Sequence, residues 1–383
     1  MTLLRAIVVA LALIILGSLL LSCARPAASS VFAWNLPPWA APPIVPADNP
    51  MTNEKVALGH YLFYDRRLSG NLTFSCASCH QQKLAFADTR TTALGSTGMH
   101  HPRRTPTLTN VGYYTVLTWA NPLQRKLEKQ MLVPMFGEHP VELGLSGKEK
   151  VLIARLDADS RYQGMFRAAF PGEPQPITLG NVTKAIASFE RTLLSFSSPY
   201  DRYRYGHEQT AISPEAKRGE KLFFSERLDC FHCHGGINFS DSTADTRTRL
   251  FQRSFHNTGL YNIHGTGAYP ADNMGVFEVT HDTKDIGAFK APTLRNVAVR
   301  APFMHDGSAK DLNAVLDHYA AGGRTIASGP NAGIGRLNPH KDLVIHGFRL
   351  GPGERRDLLA FLRSLTDEGF LNDPKFADPF AIH

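Results

Sequence analysis

The apolar positions of the chain form one unbroken run near the start and several helix-spaced stripes further on. Residues 6–21 are almost wholly apolar, with Arg5 before them and Ser22 and Cys23 after. A positive start, an apolar run and a small residue at its end are the pattern of a secretion signal over residues 1–23. Ile186, Phe189 and Leu193 share one helix face, and Leu358, Phe361, Leu362 and Leu365 share another. A third helix is predicted over residues 311–321, with Leu312, Val315, Leu316 and Tyr319 on one face and Gly322-Gly323 ending it. Strand-type alternation is scarce, so the predicted fold class is all-α. Residues 24–50 are rich in Pro and Ala, carry Trp34 and Trp39, and read as a Pro-rich tether or strap. Residues 242–290 show little periodicity and read as irregular loop.

The pattern also repeats. Gly59-His60-Tyr61-Leu62-Phe63 aligns with Gly219-Glu220-Lys221-Leu222-Phe223, and the match continues to Leu68 and Leu228. Pro106-Thr107-Leu108-Thr109-Asn110-Val111 aligns with Pro292-Thr293-Leu294-Arg295-Asn296-Val297. Repetition of this kind predicts a duplicated unit. It divides the chain into helical domains at residues 51–200 and 201–383, joined near residues 197–212. A chain of 383 residues is long enough for both.

Each copy runs into the same short motif, Cys76-Ala77-Ser78-Cys79-His80 and Cys230-Phe231-His232-Cys233-His234. C-x-x-C-H is the attachment signature of a c-type haem. The thiols add across the porphyrin vinyl groups and the adjacent imidazole becomes an axial ligand of the iron. Two such motifs on two helical units predict two cytochrome c-like domains, each with one covalent haem. The competing reading, a zinc site from two Cys and one His, fits export and duplication poorly. Of the five cysteines four lie in these motifs and the fifth is Cys23, so none remains for a disulfide. Leu20-Leu21-Ser22-Cys23 resembles a bacterial lipobox, which favours a lipid anchor at Cys23 over a plain signal or an uncleaved membrane helix. The net charge of +7 shrinks once Arg5 leaves and four haem propionates are added. With no Lys/Arg run interleaved with aromatics, nucleic acid is excluded as a partner.

The repeat also compares the far side of each haem. Trp119 lies 13 residues after Pro106, as His305 lies 13 after Pro292. Tyr319 lies 14 past His305, and the matching offset past Trp119 falls on Val133, beside Pro134. One half offers a phenol where the other offers groups that cannot bind iron.

With these residues in view, the chain resembles the bacterial dihaem cytochrome c peroxidase and MauG superfamily, from about residue 46 to 368. It looks most like the MbnH-like branch, through Thr118-Trp119-Ala120-Asn121-Pro122, Leu132-Val133-Pro134-Met135-Phe136-Gly137-Glu138 and Pro140-Val141-Glu142-Leu143-Gly144-Leu145. The resemblance implies proximal ligation by His80 and His234, and a distal pocket at the first haem made of Gln130, Pro134 and Glu142. Glu142 lies two residues further on than is usual, so the loop around Gly137 must absorb a small insertion. It implies that Trp119 sits between the haems, and that Tyr319 ligates the second iron where the peroxidases use methionine. His100, His101 and His139 are alternative distal ligands at the first haem, and Met304 an alternative ligand at the second. A calcium ion between the haems is also implied, through backbone carbonyls that map to Arg300 and Pro302. The family's asparagine at that site is here Arg104, beside Arg103, which is unfavourable to a dication unless the side chains turn away.

Functionally, the resemblance implies a hydrogen peroxide-dependent oxidoreductase forming a high-valent, bis-Fe(IV)-type state. Glu142 would act as acid–base group, Gln130 would orient the peroxide, and Trp119 would relay the oxidising equivalent. The substrate would be a tryptophan, converted to kynurenine, on a periplasmic copper protein of the MbnP type. Two alternatives remain: a dihaem cytochrome c peroxidase fed by a small cytochrome or cupredoxin, and a non-catalytic electron carrier with two capped haems. In each case the protein is exported, on the periplasmic side.

Overall fold

The computed structural model describes residues 32–252 and 254–381, so the signal segment and Cys23 lie outside the described residues. The fold is mostly helical with few strands. In chain order the helices are α1 Asn53–Tyr64, α2 Leu127–Gln130, α3 Leu132–Phe136, α4 Glu149–Asp157, α5 Ser160–Ala169 and α6 Leu179–Arg191. There follow α7 Pro199–Arg204, α8 Pro214–Phe223, α9 Cys230–Cys233, α10 Phe277–Thr280, α11 Leu312–Ala320, α12 Pro352–Ser364 and α13 Glu368–Asn372. One antiparallel pair, β1 Thr325–Ile326 and β2 Gly333–Ile334, is the sheet found among the described residues.

Two crossing helix pairs carry the fold, α1 on α6 and α8 on α12. Caps start them: Thr52 Oγ1 accepts from Lys55 N at 3.1 Å, and Ser213 caps α8 with Pro214 in its first turn. Leu58, Leu62 and Phe63 pack with Ile186 and Phe189 in a first core, and Phe223 packs with Leu358 and Phe361 in a second. Both crossings pivot on a glycine. A Cβ at Gly59 would overlap the Ala185 carbonyl, and one at Gly219 would overlap the Asp357 carbonyl. Gly59→Ala or Gly219→Ala is therefore expected to destabilise the holoprotein by about 1–3 kcal/mol, read from the denaturant midpoint. Gly164→Ala, in α5 with nothing within 4 Å of the new Cβ, is the control and should not destabilise.

The same hydrogen bonds recur after each motif. Asn110 and Asn296 both take positive φ, at 54° and 58°. Asn110 Oδ1 accepts from Ser195 N and Asn296 Oδ1 from Asp367 N, each at 2.7 Å. The halves meet through these residues, since Asn110 Nδ2 donates to Asn238 Oδ1 at 2.7 Å and Asn296 Nδ2 to Ser195 Oγ at 3.0 Å.

Two segments lie elsewhere than the sequence pattern suggested. Residues beyond α12, read as part of the second half, complete the first core instead: Phe370 and Phe376 pack on Phe86 with ring centroids 5.6 and 6.2 Å away. Tyr64 Oη donates to the Phe376 carbonyl at 2.6 Å. The Pro-rich stretch, where described, is a packed strap and not a free tether. Trp39 stacks on Tyr205 at 4.0 Å, and Asn49 Nδ2 donates to Glu128 Oε1 at 2.8 Å. A short apolar segment gains by covering whichever core edge is open, and local pattern does not say which that is.

Candidate active site

The two motifs have one geometry. His80 N donates to the Cys76 carbonyl and His234 N to the Cys230 carbonyl, both at 2.9 Å, so each imidazole follows one tight turn after its thiols. His80 Nδ1 bonds the Phe86 carbonyl at 2.9 Å, and His234 Nδ1 the Phe239 carbonyl at 3.1 Å. A backbone acceptor on Nδ1 holds the proton there and leaves Nε2 as the metal-binding atom. Phe86 and Phe239 both have positive φ, which turns those carbonyls inward. The four thiols are unpaired, and burial above all pushes Cys79 and Cys230 up to about 12. Among the described residues neither Cys/Cys/His set converges as the ligands of a closed zinc site would.

A cavity opens on the His234 side. His234, Tyr319, Met304, His305 and Trp119 all line it, and it reaches Thr105 and Pro106 of the first half. Tyr319 is delivered by α11, whose N-cap Asp311 accepts from Ala314 N at 2.8 Å. Burial raises the Tyr319 phenol above its ordinary value. His305 stacks on Phe289 at 3.5 Å and 12°, and burial pushes its imidazole down to about 3. Trp119 Nε1 donates to the Arg104 carbonyl at 2.9 Å, and its own carbonyl accepts from Lys290 N at 2.8 Å.

Three buried basic side chains face this cavity: Arg104, Lys290 and Arg300. Lys290 Nζ donates only to the Val116 and Leu117 carbonyls, at 3.1 and 3.3 Å, and burial pushes it down to about 7. Burial also lowers Arg300, to about 10. Each of the three bonds to backbone carbonyls, with no carboxylate partner among the described residues. Buried cations without counter-charge are costly, and haem propionates are anions of the right kind. Donors, free Nε2 atoms and unpaired cations together fit two covalent haems.

α2 and α3 run on with a single residue between them, which places Gln130 and Pro134, the pair that the family likeness assigns to the distal side of the first haem, one turn apart. Leu143 N donates to the Pro134 carbonyl at 2.9 Å and Ser96 N to the Glu142 carbonyl at 2.7 Å. These bonds seat Glu142 next to Pro134 despite the longer loop. Burial, then Asp88, then Glu142 raise the Cys79 thiol, which places the Glu142 carboxyl near the first motif. Burial lifts Glu142 itself to about 7. His100 is exposed, its Nδ1 3.2 Å from Thr92 Oγ1, and His139 is exposed as well. His101 is partly buried, and its Nδ1 accepts from Arg103 N at 3.0 Å.

The sequence reading missed His256. Its Nε2 lies 2.7 Å from Asp241 Oδ2 and its Nδ1 2.7 Å from Asp342 Oδ2, at the cavity wall. Burial opposes its charge, but Asp241, the neighbouring Cys233 sulfur and then Asp342 outweigh it and hold the imidazole up at about 11. Asp241, His256 and Asp342 are far apart in the chain, so no motif announces them. Lys290 was missed for a related reason, because a lysine's burial is invisible in composition.

A family profile described as di-haem cytochrome c peroxidase matches residues 53–209. The chain is 37% identical over 323 residues to the methylamine utilization protein MauG of Methylorubrum extorquens, covering 84% of this chain and 81% of that one. The chain belongs to the MauG and di-haem cytochrome c peroxidase family. Another member, cytochrome-c peroxidase IdrP1 of a Pseudomonas species, is 34% identical over 354 residues and 88% of each chain. A crystal structure of a MauG-like protein associated with microbial copper homeostasis superposes with a TM-score of 0.89 at 48% identity, over 91% of this chain and all of that one. This MauG-family chain thus carries two covalent c-type haems and is a peroxidase-type oxidoreductase, acting on peroxide with a protein substrate or redox partner.

Calcium fares differently from haem. The Arg300 carbonyl already accepts from Arg104 Nη1 at 2.8 Å. An ion bound to that oxygen would sit within about 5 Å of the guanidinium, a repulsion of about 7 kcal/mol at an effective dielectric of about 20. Arg103 turns away to Asn273 and Glu278, but Arg104 does not. The residues do not fit a calcium ion.

Proposed function

We propose that this enzyme uses peroxide to oxidise a tryptophan to kynurenine on an exported copper protein of the MbnP type. The observation that carries the reading is Tyr319 in one cavity with His234 and Trp119. The copper-homeostasis association of the solved relative supports the choice of partner. When bound through Cys76, Cys79 and His80, and through Cys230, Cys233, His234 and Tyr319, the haems supply the redox chemistry.

The chain's own groups do the rest. Glu142, near 7, can take a proton from one peroxide oxygen and return it to the departing water at neutral pH. Gln130 offers an amide to orient the peroxide. Pro134 has no N–H and shapes the wall between them. Trp119, pinned by Arg104, is the relay toward the second site. His100, His101 and His139 would not serve as ligands, which would leave the first haem open to peroxide. Export and a lipid anchor at Cys23 complete the proposal. Among the described residues no helix is long and apolar enough to cross a membrane.

The test combines holoprotein, peroxide and the copper protein, with peptide mass analysis for tryptophan converted to kynurenine. Trp119→Phe should lose most of this product while haem attachment is kept. Full product from Trp119→Phe would end its role as relay. A second reading, peroxide reduction fed by a cytochrome or cupredoxin, draws on Met304, which lines the same cavity. Steady turnover with such donors and no modified tryptophan would select it.

A further inference from the structure

One guanidinium stands where the two halves meet beside Trp119. Arg104 is 6% exposed. Its Nη1 donates to the Arg300 carbonyl at 2.8 Å and its Nη2 to the Asp88 carbonyl at 2.9 Å. Asp88 follows the first haem motif and Arg300 the second, so a single planar group joins main-chain oxygens of both halves. The backbone of the same residue adds two more bonds. Its N–H donates to the His305 carbonyl at 2.9 Å, and its carbonyl accepts from Trp119 Nε1 at 2.9 Å.

We infer that the Arg104 guanidinium is the resident cation of this junction, fastening Arg300 to Asp88 in place of any divalent ion, while the backbone carbonyl of the same residue holds Trp119. Buried carbonyl oxygens need either N–H donors or positive charge, and a guanidinium supplies both in a rigid fork. Burial lowers its proton affinity, yet arginine starts so high that it stays charged. A dication at the Arg300 oxygen would displace Nη1 and leave a buried guanidinium with unmade bonds. The neighbouring Arg300 guanidinium, which donates to the Thr293 and Asn296 carbonyls, adds further positive charge. Arg104 is a positioning residue: it acts through Trp119 and the two backbones. The inference is independent of which substrate the enzyme oxidises.

Metal analysis needs no partner protein and so separates this claim from the functional one. Holoprotein equilibrated with calcium chloride and then desalted should hold no calcium above background. Its Tm and the electron paramagnetic resonance of both haems should ignore added calcium and EGTA alike. Arg104→Asn, which removes the cation and offers an oxygen, should lose thermal stability and regain it with calcium by mass action, reversibly with EGTA. Arg104→Lys should keep calcium indifference but lose part of the stability, since an ammonium cannot reproduce the fork. Calcium bound to the wild-type holoprotein would overturn the inference. So would an Arg104→Asn variant as stable as the wild type without calcium. If Arg104→Asn does not fold, the wild-type metal content and EGTA response still decide.

Discussion

Glu142→Gln is expected to slow the reaction of holoenzyme with peroxide by about 10²–10⁴-fold at pH 7, the usual worth of a positioned acid–base group. The carboxyl is held near 7 by burial. At that value it is an effective base in one half-step and an effective acid in the next. The pH profile follows in sign. As pH rises through 7 the carboxylate fraction grows, so the wild-type rate should climb between about pH 5 and 8. The variant should be flat over that range with both haems still attached. The same shift affects stability: the native state holds this proton more tightly than the unfolded chain does. Its contribution is therefore complete below the ordinary value near 4.5 and disappears as pH rises past 7. Stopped-flow mixing with peroxide reads the rate, and an unchanged Glu142→Gln profile would remove the acid–base role.

Tyr319→Met is expected to raise the reduction potential of the second haem by on the order of hundreds of millivolts, because axial ligands set haem potentials over a wide span. A thioether is soft and favours ferrous iron, whereas a phenolate is a hard anion that favours higher oxidation states. In the protein matrix burial raises the phenol above its ordinary value. The charge of a bound iron is what would draw the proton off, as metal ions invert local proton affinities. The variant should lose tryptophan oxidation and gain turnover with small electron donors. Spectroelectrochemistry checks the potential, and Met304→Leu, which should leave it unmoved, tests the competing ligand. A Tyr319→Met potential equal to that of the wild type would show that Tyr319 does not ligate.

The two outcomes also separate the functions available to this family. Slow peroxide activation with an unaltered second haem isolates the first site. A shifted potential with normal activation isolates the second. Trp119 is the residue through which the two effects should couple, and the backbone carbonyl of Arg104 accepts the bond that keeps its indole in place.

What the chain declared by itself was whatever depends on neighbours in sequence. C-x-x-C-H reaches one macrocycle because five consecutive residues suffice. The 3.6-residue stripe located α11, and Asp311 and Gly322-Gly323 marked its ends. Repeated phrases marked equivalent positions, and the family likeness put Gln130, Pro134 and Glu142 together on paper.

Tertiary structure decided the rest. Glu142 is brought beside Pro134 by the bond from its neighbour Leu143 N to the Pro134 carbonyl, and its proton affinity is set by burial. His256 is bonded by Asp241 and Asp342, which lie 15 residues before it and 86 after it. The tail beyond α12 fills the first core because an open apolar edge there is covered at a profit in buried surface. Arg104 was legible as a departure from the family's asparagine, but not as a clasp, since its partners are main-chain oxygens that every residue possesses. Side-chain identity is local, whereas desolvation and counter-charge belong to the folded whole. Proton affinities, cation sites and the choice between tether and strap therefore belong to the three-dimensional arrangement.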